Sequence, residues 1–334
     1  ALADWVQDHT FYVCPHCEGR VEDWEKIGMM EKGEWRPTNP NASRARRGYH
    51  LNSLYSPFVT WGQMARKFIV AQNDLFRQVA LHNFRNGWEA LPFTQYEIKV
   101  GDDSVRGLRG VCRRGELPRH YYYMVVAYDP GQNQTHWVAQ AIGRGGETWV
   151  VDWGTLLGIS TTDATPGIGA HFESLEWGGV RPDFGLIDSG DWAQKVYDEC
   201  YKYYGKLWPT KGSGANFGSW NVSEVKSHPG LELYLYVDRT AKMELYAGRI
   251  QKGAAPALHL PEDADQDLLA GLSGQQLEKP RGGGLAQWRK LPNDHYGDCV
   301  KIGQVSWWVR RGDFYAEEMS AIEERKQNEG VPEE

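Results

Sequence analysis

The stretch from Tyr121 to Gly154 constrains the fold more than any other part of this 334-residue chain. Tyr121-Tyr-Tyr-Met-Val-Val-Ala-Tyr128 is aromatic and β-branched, Asp129-Pro-Gly-Gln132 is turn chemistry, and His136-Trp-Val-Ala-Gln-Ala-Ile-Gly143 resumes the strand pattern. After Gly145-Gly146, Glu147-Thr-Trp-Val-Val-Asp-Trp-Gly154 supplies a third run, so three consecutive strands predict an antiparallel meander. The pattern then alternates. Asp183-Phe-Gly-Leu-Ile-Asp188 reads as a short buried strand stopped by Ser189-Gly190, and 192–204 carries a helical pattern with Val196 and Cys200 four apart. Strand followed by helix is the unit of a parallel crossover. Leu231-Glu-Leu-Tyr-Leu-Tyr-Val237 predicts another strand, 239–251 a helix, and 296–308 a last helix, which together give an α/β domain: a mixed sheet flanked by helices.

Around this core the text is less regular. Residues 1–47 read as a small irregular module, 48–117 as a helical segment and linker, 118–311 as the α/β domain, and 312–334 as a Glu- and Lys-rich tail, helical and then disordered. Within 48–117, Trp61, Met64, Phe68 and Ala71 predict one helix over 61–88, and 96–118 has the Gly, Asp and Arg content of an exposed arm. Cys14-Pro-His-Cys17 followed by Gly19 is half of a zinc ribbon. Structural zinc takes four ligands, and Cys112, Cys200 and Cys299 stand alone, so Zn²⁺ at Cys14 and Cys17 and a remnant that binds nothing both stay open.

Five cysteines, an odd number without a framework of spacings, argue for reduced thiols. No run of 18 apolar residues and no signal-peptide pattern is present, so the expected place is the cytoplasm, with no membrane partner. A net charge of -7 excludes a surface coated in positive potential but not a basic face. Arg44, Arg46 and Arg47, then Arg106, Arg109, Arg113 and Arg114, then Lys279, Arg281, Arg289 and Lys290 form clusters that either touch phosphates or are simply solvated.

Three acids stand out by position. Asp129 and Asp188 end predicted strands, and Asp298 interrupts an otherwise packable helix. Carboxylates at the C-terminal ends of adjacent strands project into one crevice, and a helix packed on the sheet can lower a third acid into it. Clustered carboxylates repel unless cations neutralise them, and oxygen donors suit Mg²⁺ or Mn²⁺. Two such ions can activate water and stabilise the leaving oxygen of a phosphodiester. Taken singly, an Asp after a strand such as Asp188 reads as a turn or capping residue, whereas Asp298 within a packable helix wants a partner.

Several motifs, in order along the chain, carry a resemblance. Cys14-Pro-His-Cys17 with Met29-Met-Glu-Lys-Gly-Glu-Trp35, Tyr49-His-Leu-Asn-Ser-Leu-Tyr-Ser-Pro57, Ile187-Asp-Ser-Gly190, Lys211-Gly212, 238–242, His259-Leu-Pro261 and Asn293-Asp-His-Tyr-Gly-Asp-Cys299 are similar to the lambda-like phage terminase large subunits, in their nuclease region and the zinc-finger-like segment before it. The resemblance implies an RNase H-like fold that cuts concatemeric double-stranded DNA during packaging, with Asp129, Asp188 and Asp298 as catalytic, metal-binding acids. One extra residue in Asn293-Asp-His offers Asp294 as a third or fourth metal ligand. Lys211 and Lys242, with Arg113, Arg114 and Arg289, are the expected DNA contacts. Implied partners are DNA, a small terminase subunit and a portal protein, in the cytoplasm of the infected host. No Gly-x-x-x-x-Gly-Lys-Ser/Thr sequence occurs, so no ATPase site is expected, and the chain reads as a fragment of a longer polypeptide. Two other readings stay open: a docking module between motor, portal and DNA, and an RNase H-like enzyme of strand transfer or junction resolution.

Overall fold

The computed structural model describes residues 2–39, 41, 48–74, 77–91, 98–110, 112–157, 167–214, 219–251, 253–254, 256–273, 275–278, 287–290 and 294–314. The expected tail beyond Phe314, the cluster Arg44, Arg46 and Arg47, and Lys279, Arg281 and Asn293 lie outside them. Two compact units divide the chain, Ala1–Gln95 and Tyr96–Glu334. The boundary thus falls inside the segment 48–117.

In the first unit, helix α1 (Leu2–His9) precedes a short hairpin of β1 (Tyr12–Val13) and β2 (Arg20–Val21). Cys14 and Cys17 sit at its tip, where the Cys14 N–H donates to the Gly19 carbonyl at 3.0 Å and the Glu18 N–H to the Cys14 carbonyl at 2.9 Å. Helix α2 spans Lys26–Glu31. The single helix expected over 61–88 is two, α3 (Trp61–Gln72) and α4 (Arg77–Gly87), packed through Met64, Ala71 and Phe84. Thr60 starts α3 with a capping box to Gln63. Gly62 is required where α1 crosses α3, because a Cβ there would meet the Gln7 carbonyl oxygen at 1.9 Å.

The second unit opens with β3 (Ile98–Lys99) and α5 (Asp102–Arg106). The arm expected over 96–118 is largely exposed but anchored: Val100 and Val105 are buried, and the Gly110 N–H donates to the Leu260 carbonyl. Periodicity fails to show this because the segment's few apolar residues are buried against distant chain rather than along one helix. The meander follows as β4 (Tyr123–Pro130), β5 (Gln134–Ile142) and β6 (Thr148–Leu157). Then come α6 (Ile168–Ser174), β7 (Phe184–Asp188), α7 (Ala193–Lys202), β8 (Leu207–Ser213), β9 (Trp220–Glu224) and β10 (Glu232–Val237). Helix α8 (Asp238–Lys242) runs into a π-helical turn, Met243–Arg249, in place of the plain helix expected over 239–251. Strand β11 (Leu258–His259), α9 (Gln266–Leu272), β12 (Gln275–Glu278), β13 (Gln287–Lys290) and α10 (His295–Arg310) complete the unit.

Eight strands form one sheet in the order β11-β6-β5-β4-β7-β8-β10-β9. Within it β6, β5 and β4 are antiparallel, while β7, β8 and β10 run parallel to β4, which is an RNase H-like arrangement. A second sheet of three pairs β12 with β13 and β3. Aromatic and branched side chains alternate off the strands into the core, with Met124, Val126, Tyr128, Ile187 and Leu207 almost fully enclosed. Helix α10 is buried nearly all round because it lies across β4, β5 and β7 while α9 covers its outer side. Two glycines permit that approach. A Cβ at Gly303 would meet Gln140 Nε2 at 1.8 Å, and one at Gly297 would meet the Tyr246 hydroxyl at 2.5 Å and the Gly271 carbonyl oxygen at 2.6 Å.

Candidate metal centre

Parallel pairing decides where the acids go. Tyr128 is paired with Ile187 and Asp188 with Thr210, so Asp129 and Asp188 leave the same edge of the sheet at the ends of neighbouring strands. Strand β10 is parallel to β8, so Asp238, the first residue of α8, leaves that edge too. Asp298 arrives from the first turn of α10. Asp188, Asp238, Asp298 and Lys301 line a cleft of about 710 Å³.

Two kinds of electrostatic environment meet there. Asp188 lies in the first: burial and then the Asp129 carboxylate push its carboxyl up to about 6, with Asp298 adding to the push and Lys301 opposing it. The second contains Asp238 and Asp298. Lys301 Nζ is 2.8 Å from Asp238 Oδ1 and 2.7 Å from Asp298 Oδ1, and Lys242 Nζ is 2.7 Å from Asp238 Oδ2. Burial alone would lower the Lys301 ammonium, but Tyr236, Asp298 and Asp238 outweigh it and hold the group well above its ordinary value.

Asp129 has imidazole neighbours. His295 Nδ1 is 2.7 Å from Asp129 Oδ2, and the His295 ring stacks on His136 with centroids 4.3 Å apart and planes 4° from parallel. His136 stands opposite Asp129 across the β4–β5 ladder. Its pKa is lowered to about 4, first by burial and then by His295, with Asp129 opposing. Ligand atoms of Asp129, His136 and His295 all lie within 4.8 Å of one another, the one such metal-capable group among the described residues.

The other expected site residues are placed less uniformly. Asp294 is fully buried, its Oδ2 accepting from Gln275 Nε2 at 2.6 Å. Lys211 is exposed on β8, next in sequence to Thr210, the partner of Asp188. Lys242 is turned onto Asp238, and Arg114 pairs with Asp152 and lies over the Trp153 ring. Arg113 and Arg289 are exposed, 3.8 Å from Glu262 and 3.6 Å from Glu278. Cys14 and Cys17 gather no third metal-ligating side chain among the described residues.

Sequence reasoning did not single out His136, His295, Asp238 or Lys301. For three of these a signal exists: His295, Asp298 and Lys301 recur every three residues along one helix, and Asp238 directly follows the strand 231–237. The approach of His136 to Asp129 depends on the length of the hairpin turn, which the sequence pattern alone does not set.

The donor set fits divalent cations. Carboxylates end neighbouring strands at one sheet edge, and the Asp188 carboxyl is raised first by burial and then by Asp129 and Asp298, more than Lys301 offsets. An RNase H-like sheet with acids along its carboxyl edge defines a class of nuclease-type folds. Residues 46–305 match the family model described as terminase large subunit gpA, endonuclease domain, and the chain belongs to that family. A search of curated proteins finds no match. Among solved structures, the large terminase nuclease from thermophilic phage G20c is similar at 11% identity over 60% of this chain and 95% of that one, TM-score 0.37. The nuclease domain of the large terminase subunit gp2 of bacterial virus Sf6 is similar at 14% identity over 61% and 97%, TM-score 0.41. Among the described residues, no helix is long and apolar enough to cross a membrane.

Proposed function

We propose that the chain is a metal-dependent endonuclease of a viral packaging terminase, cutting concatemeric double-stranded DNA with two divalent cations held by Asp129, Asp188 and Asp298. What supports this reading is that Asp129 and Asp188 end neighbouring parallel strands and that Asp188, its carboxyl raised to about 6 by burial and then by Asp129, also feels Asp298 from the helix beside them, although the three carboxylates do not gather within 4.8 Å of one another. When bound, Mg²⁺ or Mn²⁺ would activate the attacking water and stabilise the leaving oxygen. The protein's own part is placement. Lys301 fixes Asp298 and Asp238 through ion pairs, and Lys242 holds Asp238 from its other oxygen. Lys211, Arg113 and Arg289 are exposed cations suited to backbone phosphates, contacts that supply grip rather than sequence readout. Site choice then falls to a small terminase subunit, with the portal as a further partner.

The test is incubation of plasmid DNA with the protein in Mn²⁺, Mg²⁺ or EDTA, beside an Asp188→Ala variant. Nicking or linearisation that needs metal and is lost in the variant is the expected result. No cutting in any metal by a folded protein overturns the reading and favours a docking module. Cutting confined to branched DNA would move the activity to junction resolution.

A further inference from the structure

Three side chains beside Asp188 have a composition that three carboxylates do not. We infer that Asp129, His136 and His295 form a nitrogen-rich seat for a borderline first-row transition cation of the Co²⁺ or Zn²⁺ class, selected over Mg²⁺. The inference rests on the proposed role of Asp129 as a metal ligand.

The first argument is proximity: one ligand atom from each residue lies within 4.8 Å of the other two, so small side-chain rotations bring the three to the roughly 3.3 Å spacing of donors around one ion. An orphaned atom gives the second. His136 is 7% exposed, its Nε2 lies 3.1 Å from the Gln134 side-chain amide, and its Nδ1 is buried with no hydrogen-bond partner. A buried ring nitrogen without a partner is costly, and such a group calls for an explanation. With the Gln134 amide turned so that its carbonyl oxygen accepts a proton from Nε2, Nδ1 is left with a lone pair, the arrangement by which a second polar group fixes the tautomer of a metal-bound histidine.

Donor chemistry is the third argument. Imidazole nitrogen favours Co²⁺, Ni²⁺, Cu²⁺ and Zn²⁺, whereas Mg²⁺ prefers oxygen and keeps its waters. The two rings lie 4° from parallel, so ligation by both requires one to tilt. His295, at the first residue of α10 with its side chain 38% exposed, has the room. A cation there replaces the contact between His295 Nδ1 and Asp129 Oδ2, and the neutral ring then carries its proton on Nε2.

The test is titration of the whole chain with Co²⁺, read by its visible absorption, and with Mg²⁺ by calorimetry, for wild type, His136→Gln, His295→Gln and Asp188→Asn. Expected is Co²⁺ bound at least about 10-fold more tightly than Mg²⁺, a loss of about 10- to 100-fold in Co²⁺ affinity in each histidine variant, and Mg²⁺ affinity nearly unchanged. His295 is partly exposed, so its variant keeps the test valid should the buried His136→Gln misfold. Unchanged Co²⁺ affinity and spectrum in a folded His295→Gln overturns the inference. The two readings fail separately: a Co²⁺ spectrum lost in the histidine variants but no DNA cutting removes the nuclease and leaves the seat, while cutting lost in Asp188→Asn with an unaltered Co²⁺ response in the histidine variants does the reverse.

Discussion

Two halves of one sheet edge handle negative charge in opposite ways. On the Asp238 side, buried ammonium meets carboxylate: Lys301 spans Asp238 and Asp298, and Lys242 adds a second cation. On the Asp188 side, burial and the neighbouring Asp129 make the charged form unfavourable, and Lys301 only partly relieves it. The first half is complete as a structural element. In the second, burial and the neighbouring acids disfavour the carboxylate form, and this is where the proposed cation would bind.

Removing the internal cation gives the largest effect. Lys301→Met leaves two acids without their shared buried partner and costs about 3–5 kcal/mol, read as a fall in denaturation midpoint; a loss below about 1 kcal/mol would erase the distinction between the halves. A smaller effect separates carboxylate chemistry from histidine chemistry under the same strands. His171, hydrogen-bonded to the Tyr128 hydroxyl at 3.0 Å, is lowered from 6.5 to about 4, chiefly by burial. Its folded pKa is depressed, so its contribution is present above pH 6.5 and lost as pH falls towards about 4. His171→Gln flattens that acid limb by about 2–3 kcal/mol, measured from melting curves across the range. The smallest effect belongs to Lys242→Ala, about 0.5 kcal/mol in chemical denaturation, because Lys301 still holds Asp238.

How much of this was legible in the sequence depended on locality. The β4–β6 meander, β7 and its crossover helix follow from unbroken runs of branched and aromatic residues, and with them come Asp129 and Asp188 as strand ends. Strand β8 escapes because Leu207-Trp-Pro-Thr-Lys-Gly-Ser213 contains Pro and Gly, which read as a turn, although its parallel place between β7 and β10 is fixed by pairing with distant chain. The two short strands β11 and β12 are likewise made by tertiary contacts, not by period. Asp298 is visible as an acid in a packable helix, but beyond a spacing of three nothing in the sequence pattern marks Lys301 as its partner. Only the burial of α10 on all sides turns it into a buried ammonium at 5% exposure. The π-helical turn after α8 leaves no mark in hydrophobic spacing.

The measurement that reaches the central claim most directly is the melting temperature of wild type and Asp188→Asn, each in EDTA and in Mn²⁺, at pH 7.5. With its folded pKa raised from 3.8 to about 6, Asp188 contributes stability below pH 3.8 that is lost as pH rises through about 6, so its charged form destabilises the metal-free protein at pH 7.5. The account predicts a reversal: Asp188→Asn melts higher than wild type in EDTA, by about 1–3 kcal/mol, and gains less than wild type from Mn²⁺. A variant that melts lower in EDTA, with Mn²⁺ raising both proteins equally, would contradict it.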